Sequence, residues 1–149
     1  MSDQQLWTSP GIKNTLVRKS GQILIICRII VSPERLTNIV SAQSCGRGIG
    51  LAACGHTGGD CHDIEILIPS SNRDRTYFYD QLDRIRAIGT MTPLTGATRF
   101  VANSLRDAKE NTTMILVSDG AENCYRGDTF KAMRRIWQQL LFLMLARMP

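Results

Sequence analysis

Aromatic side chains make up 6% of the 149 residues, and histidine occurs twice. Few rings are available to stack bases. The net charge of +5 is mild, and the arginines are spread along the chain. Together these features argue against a nucleic-acid binder. Both histidines fall in one short loop, so a Ser-His-Asp triad has little material, and no G-x-S-x-G occurs. No G-x-x-x-x-G-K-[ST] phosphate loop occurs either. Gly46, Gly48 and Gly50 follow G-x-G-x-G, which is not the dinucleotide pattern. The five cysteines (Cys27, Cys45, Cys54, Cys61 and Cys124) contain no Cys-x-x-Cys pair, which argues against a zinc knuckle. Their odd number leaves at least one thiol free if the others pair. No apolar core of a signal peptide stands in Met1–Gly11. The apolar run Ile136–Met148 is broken by Gln138, Gln139 and Arg147. It is too short and too polar to span a bilayer, and reads as a core or interface helix.

What remains is ordinary globular material. The apolar fraction is 43% and the charged fraction 21%, enough for one domain with a real core over residues 1–149. The most informative stretch is Met91–Asp128. Thr92-Pro93-Leu94-Thr95-Gly96 reads as a loop. From Ala97, the apolar positions Phe100, Val101, Leu105 and Ala108 keep helical spacing. Thr112–Val117 is an uncharged, β-rich run of the kind buried on both faces of a sheet. It ends at Ser118-Asp119-Gly120. A carboxylate just past the C-terminal end of such a strand stands where open α/β sheets build sites. The plainer reading of Asp119-Gly120 is a turn.

Along the rest of the chain, Ile12–Cys27 has the spacing of a helix, with Ile12, Leu16, Ile23 and Cys27 on one side. The β-branched run Ile23–Val31 makes a strand the competing assignment there. Glu34–Ser41 suits a short helix. Ile49–Cys54 and Cys61–Pro69 read as a hairpin around a glycine-rich turn. Asn72 can cap a helix over Arg73–Ile88 that buries Phe78, Leu82 and Ile85 and ends at Gly89. Thr129–Arg147 is a helix with Phe130, Met133, Ile136, Trp137, Leu140 and Leu141 inward.

The hairpin tip gathers His56, Asp60, His62, Asp63 and Glu65. Imidazoles and carboxylates this dense can ligate a metal. Their spacing matches neither HExxH nor a Cys/His zinc pattern, and a solvated tip is the favoured reading. Cys61 and Cys124 stand near strand ends, where they could pair or remain buried thiols.

Three blocks now carry a family resemblance: IGLAACGHTGGDCHDIEIL, GTMTPLTGATRFVANSL and MILVSDGAENCYRGD. In this order, over residues 49–128, they resemble the middle of a von Willebrand factor type A domain of the bacterial branch. The resemblance implies a Rossmann-like open sheet with helices on both faces and a metal-ion-dependent adhesion site at its top. In the family that site combines an Asp-x-Ser-x-Ser loop after the central strand, a Thr in a second loop and an Asp after the fourth strand. A hard divalent cation takes these oxygen ligands and completes its shell with a carboxylate from a protein partner.

Thr92 matches the second-loop Thr, and Asp119 matches the fourth-strand Asp. No aspartate here begins Asp-x-Ser-x-Ser. Met1–Trp7 instead resembles the segment just past the last Ser of that loop in this branch. The expectation is an incomplete fold, lacking the central first strand, from a chain that is a fragment or begins at an internal Met. Its neighbours would then lack hydrogen-bond partners unless they pair with each other or Ile23–Val31 fills the gap. Thr92 and Asp119 alone are too few ligands for Mg²⁺ or Mn²⁺, so metal binding is expected to be weak or absent. The expected function is a non-enzymatic protein-interaction module with a degenerate adhesion site. The alternatives are a metal-dependent hydrolase using His56, Asp60, His62 and Asp63 with Asp119, and a truncated product without function. The sequence assigns no compartment.

Overall fold

The computed structural model describes residues 21–27, 46–86, 88–106, 112–118 and 121–145. Within them lie four strands: β1 (Gly21–Cys27), β2 (Ile49–Cys54), β3 (Ile64–Ile68) and β4 (Thr112–Ser118). Three helices accompany them: α1 (Arg75–Arg84), α2 (Leu94–Ser104) and α3 (Thr129–Leu145). The fold is mixed α/β. Its one described sheet runs in the order β3-β2-β1-β4. β1 is parallel to both β2 and β4, and β3 returns antiparallel to β2.

The strand at Gly21–Cys27 overturns the helical assignment for that part of Ile12–Cys27. The rest of that span, like the helix expected at Glu34–Ser41, lies outside the described residues. The physical reason is uniform burial. Ile23, Leu24, Ile25, Ile26 and Cys27 are all buried, so no polar face exists to give a helical period. β1 occupies the sheet interior between β2 and β4 and pairs with both, in keeping with the β-branched alternative, so the gap expected at the centre of the sheet is filled and that expectation is corrected. The hairpin of β2 and β3 is as expected.

Side chains from alternate strand positions feed two cores. On one face, Leu24, Ile26, Ile49, Leu51 and Ile68 meet Phe78 and Leu82 of α1. On the other, Ile23, Ile25, Cys27, Ala52 and Cys54 meet Ala97 and Val101 of α2. α3 packs beside α2. Ala132 and Ile136 are its buried contacts. Phe130 and Trp137, expected inward, are exposed instead. The buried stripe of this helix is carried instead by Ala132 and Ile136, one helical turn apart. The side chains of Leu140 and Leu141 are not among those described.

Helix boundaries follow local chemistry. α1 begins two residues later than expected because Asp74, not Asn72, is the cap. Its side chain accepts the Tyr77 amide at 2.9 Å. Asn72 builds the approach, accepting the Asp74 amide and donating to the Ile49 carbonyl. The helix stops at Arg84, short of Gly89. α2 starts at Leu94, inside the expected loop, directly after Pro93. Asp128 caps α3 by accepting the Lys131 amide at 3.0 Å.

Candidate functional site

Because β1, β2 and β4 are parallel, Cys27, Cys54 and Ser118 end at one rim of the sheet. Three loops gather there: the hairpin tip 55–63, the segment 89–95 leading into α2, and residues 121–128 after β4.

The tip is closed by Asp63. One carboxylate oxygen accepts the amides of Thr57, Gly58 and Gly59 at 2.8, 2.9 and 3.1 Å. The other accepts the Thr57 hydroxyl at 2.7 Å. Burial alone would raise the Asp63 pKa, but the hydroxyl and the three amides outweigh it and hold the value at about 2. His56 lies between two carboxylates, with Nδ1 3.5 Å from Asp63 and Nε2 3.4 Å from Glu65. Asp60 is exposed and accepts the His62 amide of its own loop at 2.8 Å.

The tip presses on the second loop through glycines. The Gly89 amide donates to the Gly55 carbonyl at 3.0 Å. A Cβ on Gly89 would stand 2.5 Å from the Cα of Gly59, whose own φ of +75° suits glycine.

The third loop clamps the second. Asn123 accepts the Thr92 amide at 2.6 Å and donates to the Thr90 carbonyl at 3.1 Å. Glu122 accepts the Thr95 amide at 2.7 Å with one oxygen. Its other oxygen takes the amides of Cys124 and Tyr125 at 2.8 and 3.1 Å. The N-terminus of α2 has no cap from its own chain neighbours. The Glu122 carboxylate supplies both the acceptor and the favourable charge. A disulfide between Cys61 and Cys124 joins this loop to the hairpin tip, with Cα atoms 5.5 Å apart. A second disulfide, Cys27–Cys54, links β1 to β2 at the rim.

Thr92 stands in the middle of this arrangement. It is fully buried, and its hydroxyl has no hydrogen-bond partner among the described residues. The Thr95 hydroxyl, at the first turn of α2, is likewise buried and unpartnered there. Asp119 lies outside the described residues, between the end of β4 and Ala121. Among the described residues, no three His, Cys, Asp or Glu side chains gather into a metal-holding group. Asp63 and Asp60 are engaged in closing the hairpin tip.

Glu122 and Asn123 are not recognisable as clamp residues from the sequence. The one available signal is a carboxylate and an amide in the first residues past a buried strand, beside a cysteine. The Cys27–Cys54 pairing also lacks a signal, because it depends on β1 and β2 lying side by side. Among the described residues, no helix is long and apolar enough to cross a membrane. Comparison of the chain with protein-family models, curated proteins and solved structures finds no match in any of the three.

Proposed function

We propose that the chain is a non-enzymatic protein-interaction module of the von Willebrand factor type A kind, Rossmann-like in arrangement, with a degenerate adhesion site at the rim. The observation that carries the reading is the buried hydroxyl of Thr92, unpartnered among the described residues and held where three cross-tied loops meet. A buried hydroxyl without a partner costs roughly 1–3 kcal/mol, so its retention suits a group kept for a ligand. The strand order, and the approach of the loop after β4 to Thr92, are in keeping with the sequence resemblance. The partner in this reading is a protein that offers a carboxylate.

The donor set does not suit a firmly held Mg²⁺ or Mn²⁺. Thr92 contributes one neutral oxygen, and the resemblance adds one carboxylate, that of Asp119. The neighbouring acids, Glu122 and Asp63, already accept backbone amides. Such a site falls well short of the six or more oxygens a hard cation takes.

Calorimetric titration of the folded chain with Mn²⁺ tests the degenerate site. The expected result is no saturable uptake in the micromolar range. A saturable site that disappears in Thr92→Val would overturn the degenerate assignment. Nuclear magnetic resonance with an aspartate-bearing peptide tests the interaction itself. Shifts are expected at Thr92, Thr95 and Asn123 in the parent and are expected to be lost in Thr92→Val. Unchanged spectra with the aspartate-bearing peptide at millimolar concentration would remove the interaction reading.

A further inference from the structure

The two disulfides at the rim differ in access. Cys27 and Cys54 are 0% and 2% exposed and belong to the core cluster of Ile25, Ala52, Ala97 and Val101. Cys61 and Cys124 are each partly exposed, between exposed neighbours: Asp60 and His62 on the hairpin tip, Asn123 and Tyr125 on the loop after β4. Exchange requires a thiolate to reach one sulfur of the bond, so access decides which of the two reacts. The bonds also differ in what they hold. Cys27–Cys54 joins two strands that are already paired along their length. Cys61–Cys124 joins two loops, and Cys124 directly follows the clamp residues Glu122 and Asn123. Those residues are half-buried and exposed, and through them the loop holds the amides of Thr95 and Thr92.

We propose that Cys61–Cys124 is a thiol–disulfide exchange site for a dithiol reductant, and that opening it releases the Glu122–Asn123 clamp from the second loop. One thiolate of the dithiol attacks one sulfur of the bond and expels the other as a thiolate, which takes up a proton. The second thiol of the reagent then resolves the mixed disulfide. Cys61 and Cys124 end as two thiols, reduced by two electrons, and the dithiol ends as its own disulfide. With the cross-link gone, the hydrogen bonds of Glu122 and Asn123 alone oppose the entropy of the freed loop. The amides of Thr92 and Thr95 then open to solvent, while Cys27–Cys54 still fixes the end of β1 to β2. The consequence for binding rests on the adhesion reading above: the oxidised rim is the preorganised one, and reduction weakens it.

The folded, oxidised chain is treated with dithiothreitol after any free thiol has been blocked, and newly freed thiols are alkylated and mapped by mass spectrometry. Cys61 and Cys124 are expected to be labelled together, well before Cys27 and Cys54. Hydrogen exchange on the same sample is expected to quicken about tenfold or more at the amides of Thr92 and Thr95, with the amides of β1 unchanged. In the double variant Cys61→Ser, Cys124→Ser these amides are expected to exchange fast from the start and to ignore the reagent. Simultaneous labelling of all four cysteines would overturn the proposal, as would labelling of Cys27 and Cys54 first. So would freed Cys61 and Cys124 thiols with Thr92 and Thr95 exchange unchanged, a result that the unmodified chain gives whether or not the variant folds. Resonance shifts with the aspartate-bearing peptide are expected to shrink on reduction. Shifts absent in both redox states would sink the adhesion reading, and the exchange site would still stand or fall on labelling and hydrogen exchange.

Discussion

β1 and β4 are each seven residues long, lie side by side in parallel, and are built from the same kinds of side chain. GQILIIC is buried almost throughout, whereas TTMILVS is half-exposed along nearly its whole length. Composition does not account for the contrast, since both strands are apolar and β-branched. Position does. β1 has a strand on each side and helices over both faces, whereas β4 has one described strand neighbour and lies away from the main helix contacts. An apolar run thus sets the capacity to be buried, and topology sets how much of that capacity is used.

The largest expected effect comes straight from this contrast. Ile25→Ala in β1 opens a cavity in a site with no solvent access, and is expected to cost about 4 kcal/mol in denaturant unfolding. Ile115→Ala, at a matching central position of β4, is expected to cost about half as much or less, because its surroundings are already part solvent. Equal losses would show that β4 is covered as fully as β1.

Next in size is the covalent tie beyond the end of β4. Replacing Cys61 and Cys124 together by serine frees a 63-residue span and is expected to cost about 3 kcal/mol. Hydrogen exchange should locate the effect at the amides of Thr92 and Thr95, which Asn123 and Glu122 shield. The end of β1, fixed separately by Cys27–Cys54, should keep its protection.

The smallest expected effect concerns the hairpin tip. Asp63 has a lower pKa folded, at about 2, than its ordinary value of 3.8. Its contribution is therefore present in full above the ordinary value, and is lost as pH falls from about 4 toward 2. The shift corresponds to about 2 kcal/mol at neutral pH. Asp63→Asn is expected to forfeit most of that at pH 7 and to show a flatter stability profile between pH 4 and 2. An unchanged acid limb would mean that the amides of Thr57, Gly58 and Gly59 are satisfied without the carboxylate.

The same contrast explains what could be read from the chain. β4, α2, α3 and the β2–β3 hairpin each carry a local signature: an uncharged β-rich run, a helical spacing, or alternation around glycines. β1 carries only its β-branched composition, because a strand buried on both faces has no period. A chance spacing of Ile12, Leu16, Ile23 and Cys27 then imitates a helix. Asn72 and Asp74 are both good caps, and only the approach of the chain past Ile49 decides between them. Resemblance alone marks Thr92. Its burial, and its clamping by Glu122 and Asn123, depend on contacts spanning about thirty residues, which no local pattern encodes.

The two disulfides also govern how the molecule would respond to being pulled. One closes a span of 27 residues and the other a span of 63, and the two spans do not overlap. Tension applied at the chain ends travels through sulfur at both bridges and bypasses the backbone between them. Most of the sheet, and the rim segment that carries Thr92, therefore lie in shielded length, which stretching cannot draw out while the bridges hold. An attachment made at Thr92 would stay folded under load after the flanking segments had pulled straight.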